Sequence, residues 1–275
     1  MRRAAFACLV MLVGGAAAAS EMQAPAITLS TVDWDAAAAS LPDNNGVDAP
    51  EFVFGRLNAV TNWRFSGIET STVPVLLPFD VDAFRKDVAD GKADAATSDR
   101  YFGDFHPTKF FLAGPAGYDA TFAINPGDGP AKTRFKKPIV AEISGGAFIY
   151  DLDGPDHQEV FTPSKEIAAL FPGMQRILRE AHVRYVFTRY GVPYVLSIQC
   201  YDQRPNPRIL TCKQADPIAE QFLKQLHLAG GTPAPIAQPR FDLSRPAGTS
   251  DFTYYGPGDL IENTGWHKMP GRADY

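Results

Sequence analysis

The chain has 275 residues, 26 basic and 31 acidic, a net charge of −5, and 19 Phe, 10 Tyr and 3 Trp. That aromatic content excludes a disordered chain. The acidic balance excludes a general nucleic-acid binder, which would carry a basic stripe, and argues against peripheral binding to anionic lipid.

Residues 1–19 read as a secretory signal peptide. Met1-Arg2-Arg3 make a short positive region, and an apolar run follows from Ala4 to Val13. Ala17-Ala18-Ala19 supply the small side chains that signal peptidase needs, so cleavage is expected between Ala19 and Ser20. The apolar run is too short for a permanent anchor. Phe6 stands one place too late for a twin-arginine signal, and Cys8 lies inside the apolar run instead of at the cut, which speaks against lipidation. The expected location is periplasmic or secreted. About 256 residues then remain; with Arg2 and Arg3 gone, 24 basic residues face 31 acidic ones. No later segment reaches transmembrane length.

Residues 20–49 are small and turn-prone and are expected to form a flexible arm. A single α+β domain is expected over 50–230. Pro50 opens a predicted helix to Trp63, with Phe52, Leu57 and Val60 as apolar contacts. Val73–Leu77 reads as a strand whose Pro74 suggests an edge position. Asp80 can cap a helix in which Val81, Phe84 and Val88 share a face and which Gly91 ends. Predicted strands Lys109–Ala113 and Tyr118–Ile124 flank Gly114-Pro115-Ala116-Gly117, and the turn Asn125–Pro130 follows. Ile139–Ser144 and Ala147–Asp151 flank Gly145-Gly146, which predicts a hairpin there. Ser164 opens a helical stretch that Pro172 interrupts and that resumes to Ala181. Val183–Tyr190 and Tyr194–Cys200 predict a second hairpin around Gly191-Val192-Pro193; Val183, Tyr185 and Phe187 alternate with Arg184 and Thr188 as in a half-buried strand. Pro217–Leu228 predicts a helix capped by Asp216 and stopped by Gly230, with Ile218, Ala219, Phe222, Leu223 and Leu226 on one stripe. Residues 231–275 are Pro/Gly-rich and read as a C-terminal extension. The expected architecture is an antiparallel meander of hairpins with a few packed helices, stapled by one disulfide.

That disulfide is Cys200–Cys212. The two cysteines are an even pair once the signal leaves, and the intervening Arg204-Pro205-Asn206-Pro207 is turn-rich. Closing such a loop stabilises by roughly 3 kcal/mol in the chain-entropy model. A redox pair would call for Cys-x-x-Cys spacing, which is missing.

Candidate chemistry is sparse. Asp151, Asp153, Asp156 and Glu159 could offer oxygens to calcium, but Gly154 and Thr162 stand where an EF-hand loop needs other residues, so a solvated turn is the better reading. The histidines, His106, His157, His182, His227 and His267, show no zinc-type spacing, and His227 reads as a helix C-terminal dipole partner. Asp104 and His106 would share a face on a strand as an acid–base pair, although Gly103 and Pro107 favour a loop. Asp80 and Asp82 could mimic a carboxylate pair; capping explains Asp80 more simply. Ser144-Gly145-Gly146 is not a nucleophile elbow, and Gly114–Gly117 is not a phosphate loop. The sequence proposes no cofactor and no metal.

Four runs together carry a resemblance: Val73-Pro74-Val75-Leu76-Leu77-Pro78-Phe79-Asp80, Gly114-Pro115-Ala116-Gly117-Tyr118-Asp119-Ala120, Arg189-Tyr190-Gly191-Val192-Pro193-Tyr194 leading to Cys200, and Asp251-Phe252-Thr253-Tyr254-Tyr255. The chain resembles an uncharacterised family of exported bacterial proteins with a link to LytM-type zinc peptidoglycan peptidases. It departs from the peptidase pattern. The fourth residues after the histidines are Phe110, Phe161, Val186, Gly231 and Gly271, so there is no His-x-x-x-Asp, and there is no His-x-His. No zinc ligand carries over. The resemblance then implies an accessory region or a truncated product, which an end at Tyr275 would fit. The expectation is a non-catalytic envelope-binding module whose partner is a protein or glycan of the cell envelope. The alternative is an envelope hydrolase using scattered carboxylates.

Overall fold

The structure, a computed structural model, describes residues 26–41, 48–92, 95–128, 135–151, 162–179, 181–201 and 210–236. The expected signal peptide with its Ala19/Ser20 cut, and most of the C-terminal extension, lie outside these residues.

The described residues begin with strand β1 (Ala26–Leu29) and helix α1 (Trp34–Ala39), so residues 26–41 are not the loose arm expected. The Ser30 N–H donates to the Ala147 carbonyl at 2.8 Å, and the Asp33 N–H donates to the Tyr190 carbonyl at 2.9 Å. Trp34 packs edge-on against Phe54 at 4.7 Å. These anchors are long-range in sequence, and composition alone does not register them. Helix α2 (Pro50–Thr61) buries Val53, Phe54 and Leu57, with Pro50 in the first turn where its missing N–H costs nothing. Strand β2 (Val75–Leu77) follows, and then α3 (Val81–Ala89), capped by Asp80, whose carboxylate accepts from the Ala83 N–H at 2.9 Å. Val81 and Phe84 are buried, while Val88 is exposed.

Strands β3 (His106–Gly114) and β4 (Gly117–Ile124) form the expected hairpin around Pro115-Ala116. Strand β5 (Ile139–Gly146) pairs with β4 on one side. Strand β6 (Phe148–Asp151) pairs with β1, not with β5, so the predicted Gly145-Gly146 hairpin does not form. The glycines serve a different need. A Cβ on Gly145 would lie 2.6 Å from the Tyr118 ring and 2.7 Å from the Tyr194 ring, so this strand position must be bare for two aromatic rings to close over it.

Helix α4 (Lys165–Leu170) ends before Pro172, and the chain then enters strand β7 (Gln175–Arg179) instead of resuming a helix. Strands β8 (His182–Arg189) and β9 (Val192–Gln199) turn through Tyr190-Gly191, both at positive φ as a two-residue hairpin requires. Helix α5 (Cys212–Lys224) starts five residues earlier than its proline suggested. Thr211 and Gln214 make a capping box, leaving Asp216 and Pro217 inside the helix. Its apolar stripe is buried as expected. The chain then forms strand β10 (His227–Gly230), which pairs with β2, so His227 is a strand residue and not a helix-end partner.

The main sheet has six antiparallel strands in the order β3-β4-β5-β9-β8-β7, two three-stranded meanders joined along β5 and β9. With the five helices among the described residues, this is the expected α+β class. One sheet face carries Tyr118, Phe122, Ile143, Tyr194, Leu196 and Tyr185, all buried. Helix α5 and the β2/β10 ribbon cover it; Phe222 of α5 meets Phe105 at 4.7 Å and Phe122 at 5.5 Å. The disulfide Cys200–Cys212 is present, with a Cα–Cα distance of 4.8 Å, and ties the end of β9 to the start of α5. Asn58 and Thr232 hold the chain at 231–232 onto this body. No described helix is long and apolar enough to cross a membrane.

Candidate functional site

The residues singled out in the sequence do not assemble. Asp104 accepts from Gln221 Nε2 at 2.7 Å. His106 Nε2 instead meets Asp128 Oδ2 at 2.8 Å, so Asp104 and His106 are not the acid–base pair considered. Asp128 also accepts from the Asn125 N–H at 2.9 Å, closing its own turn. Partial burial works against its ionisation, but these two partners hold the Asp128 carboxyl below the usual carboxylate range. Asp80 is a helix cap, and Asp82 lies 3.9 Å from Arg85. Asp153, Asp156 and Glu159 lie outside the described residues, as does the side chain of Asp151. His157 and His267 lie outside them too. Among the described residues no group of three or more His, Cys, Asp or Glu is placed to hold a metal ion.

The second face of the six-stranded sheet is different. Side chains alternate along a strand, so the residues between the buried ones all point to this face. Asp119 on β4 stands opposite Ser144 on β5, and Thr121 on β4 stands opposite Glu142. Glu142 stands opposite Ser197 on β9, and Ser197 opposite Arg184 on β8. Thr121, Glu142, Ser197 and Arg184 therefore form one polar row across the four central strands, with Asp119 and Ser144 one step along. All but Asp119 are half-buried.

Asp119 is only 1% exposed. Neither of its carboxyl oxygens has a hydrogen-bond partner among the described residues, and neither does Arg184 Nε. An unpaired buried polar group is costly, and its neighbours normally satisfy it. Burial first, and then the negative charge of Glu142, push the Asp119 carboxyl up to about 8. Burial also raises Glu142, with Arg184 pulling it back. Near neutral pH Asp119 is thus a neutral acid that can donate as well as accept.

Comparison with family models, curated proteins and solved structures returns no match to this chain. The sheet face therefore stands on its geometry alone. An open depression elsewhere, lined by Thr31, Asp33, Trp34, Glu51, Gly191 and Pro233, is less telling. Its Asp33 is already occupied as the cap of α1, accepting from the Ala36 N–H at 2.8 Å.

Sequence reasoning passes over Asp119, Glu142 and Arg184 as a site. Each is a charged residue between two apolar ones in a predicted strand: Tyr118-Asp119-Ala120, Ala141-Glu142-Ile143 and Val183-Arg184-Tyr185. That signal places each on the outer face of its own strand. Only the strand order β4-β5-β9-β8 brings them together.

Proposed function

We propose that this is an exported, non-catalytic binding module of the cell envelope, which takes an envelope component on the outer face of its main sheet. The observation that carries the reading is Asp119: a buried carboxyl without a hydrogen-bond partner among the described residues, set in a half-buried polar row. Export is supported by the sequence at residues 1–19 and by the Cys200–Cys212 disulfide, a bond that persists in oxidising compartments. Binding without turnover is favoured because Asp104 and His106 engage separate partners. The row of hydroxyls and charges on Thr121, Glu142, Ser197 and Arg184 suits a polar ligand lying across strands.

The test is co-sedimentation of the purified protein with isolated cell-wall sacculi, with soluble fragments recorded in the same samples. Co-sedimentation that Glu142→Gln weakens, without fragment release, is the expected result. Fragment release would overturn the non-catalytic reading. Failure to co-sediment would remove the wall from the list of partners.

A further inference from the structure

The outer sheet face has a chemistry that narrows its ligand, if it is the binding surface proposed above. Two carboxyls, Asp119 and Glu142, occupy diagonal positions on neighbouring strands, which puts their Cβ atoms roughly 7 Å apart. Around Asp119 on this face stand Gly117 and Thr121 along β4, the small Ser144 and Gly146 on β5, and the half-buried Leu112 directly opposite on β3. Both Asp119 oxygens are buried without a hydrogen-bond donor among the described residues. The one cation in the row, Arg184, lies on β8, two strands beyond Glu142 and about 10 Å away across the sheet. The Asp119 end of the row therefore offers hydroxyls but no positive charge, and its small-residue side, toward β5, is where a slim group would approach the buried carboxyl.

We propose that Asp119 and Glu142 form a binding site for a primary ammonium group, presented by an amine-bearing envelope component. A primary ammonium is compact and carries three N–H donors, so one group can serve Asp119, Glu142 and the Ser144 hydroxyl together. A guanidinium is planar and wider. A quaternary ammonium has the charge but no donor, and leaves the Asp119 oxygens unpaired. Seating the cation ionises Asp119. Among the described residues the other charged groups on this face beside it are Glu142 from β5, which resists ionisation, and Arg184 from β8, which acts mainly on Glu142. Since Asp119 titrates near 8, binding at pH 7 releases close to one proton per ligand, and binding at pH 9 releases almost none.

The experiment is isothermal titration calorimetry of the full protein with Nα-acetyl-lysine amide in buffers of different ionisation enthalpy, at pH 7 and pH 9. The Nε-acetyl and Nε-trimethyl forms are the controls. Expected are binding of the free amine only, proton release at pH 7 that disappears at pH 9, and roughly tenfold or greater loss of affinity in Asp119→Asn and in Glu142→Gln. Circular dichroism of the variants checks that they fold. No binding of the amine, equal binding of the trimethyl form, or binding that both variants retain would overturn the site. Competition against sacculi separates the two proposals. Sacculus binding that the amine does not displace sinks the ammonium site and leaves the envelope reading. Amine binding with no sacculus binding does the reverse.

Discussion

The Tyr118 hydroxyl closes both backbone hydrogen bonds of Leu76: it donates to the Leu76 carbonyl at 2.8 Å and accepts from the Leu76 N–H at 3.0 Å. Among the described residues strand β2 pairs with β10 along one edge, and its other edge would be buried with open backbone groups. Tyr118, and Tyr194 donating to the Pro74 carbonyl at 2.8 Å, reach up from the main sheet and fill that edge. Two tyrosines thereby join the ribbon to the sheet. Tyr118→Phe keeps the ring and strips the hydroxyl, leaving a buried donor and acceptor unpaired. The expected cost is about 2–4 kcal/mol in urea denaturation. A loss below about 0.5 kcal/mol would mean that water reaches Leu76 in the variant.

Much of the fold was legible in the residues. The β3–β4 and β8–β9 hairpins, the Asp80 cap, the disulfide and the buried stripe of α5 follow from local periodicity and turn chemistry. The misreadings have two causes, one in tertiary packing and one in a missed local cap. Gly145-Gly146 looks like a turn locally, but tertiary packing of Tyr118 and Tyr194 explains the bare position better. Pro217 looks like a helix start, but Thr211 and Gln214 open the helix earlier. The candidate site was not legible because Asp119, Glu142 and Arg184 are 23 and 42 residues apart and meet only through strand order.

Glycine placement gives a paired test of that packing argument. Gly145→Ala puts a methyl 2.6–2.7 Å from two buried rings that cannot both retreat. The expected destabilisation is roughly 1–3 kcal/mol, the usual range for an overpacked core. Gly55 lies exposed inside α2, and a methyl added there would meet nothing within 4 Å. Gly55→Ala should stabilise by about 0.5–1 kcal/mol through helix propensity. Thermal melts of the two variants against the parent should move in opposite directions.

Helix α5 is fastened to the sheet next to the disulfide. Arg176 on β7 is 7% exposed and donates from Nε to Asp216 Oδ1 at 2.9 Å and from Nη2 to the Cys212 carbonyl at 3.2 Å. Tyr185 donates to the same Asp216 oxygen. Burial disfavours the Arg176 charge, but the Asp216 contact outweighs it and holds the guanidinium pKa above its ordinary value. Asp216→Asn removes the countercharge and leaves the arginine buried. A loss of about 3–5 kcal/mol is expected. The double variant Arg176→Met with Asp216→Asn should lose less than the sum of the two single changes. Additive losses in urea denaturation would show that the two side chains act independently.

Asp119 makes a prediction about pH that needs no ligand. In the unfolded chain its carboxyl titrates near 3.8, and in the folded protein near 8. Between those values the unfolded state gives up a proton that the folded state keeps, so this group's contribution to stability is full below about pH 4 and is lost as pH rises toward 8. Above 8 both states are ionised and the slope ends. At about 1.4 kcal/mol per pH unit the whole change is on the order of 5 kcal/mol, an upper figure because a charged Asp119 can draw in water. Asp119→Asn is neutral throughout and keeps the shape. Its stability relative to the parent should therefore rise steadily from pH 4 to pH 8 and then level off, with Glu142 and Arg184 present in both proteins. Urea midpoints measured across pH 4–9 test it directly, and a difference that stays flat would mean that Asp119 ionises in the folded protein as readily as in the unfolded chain.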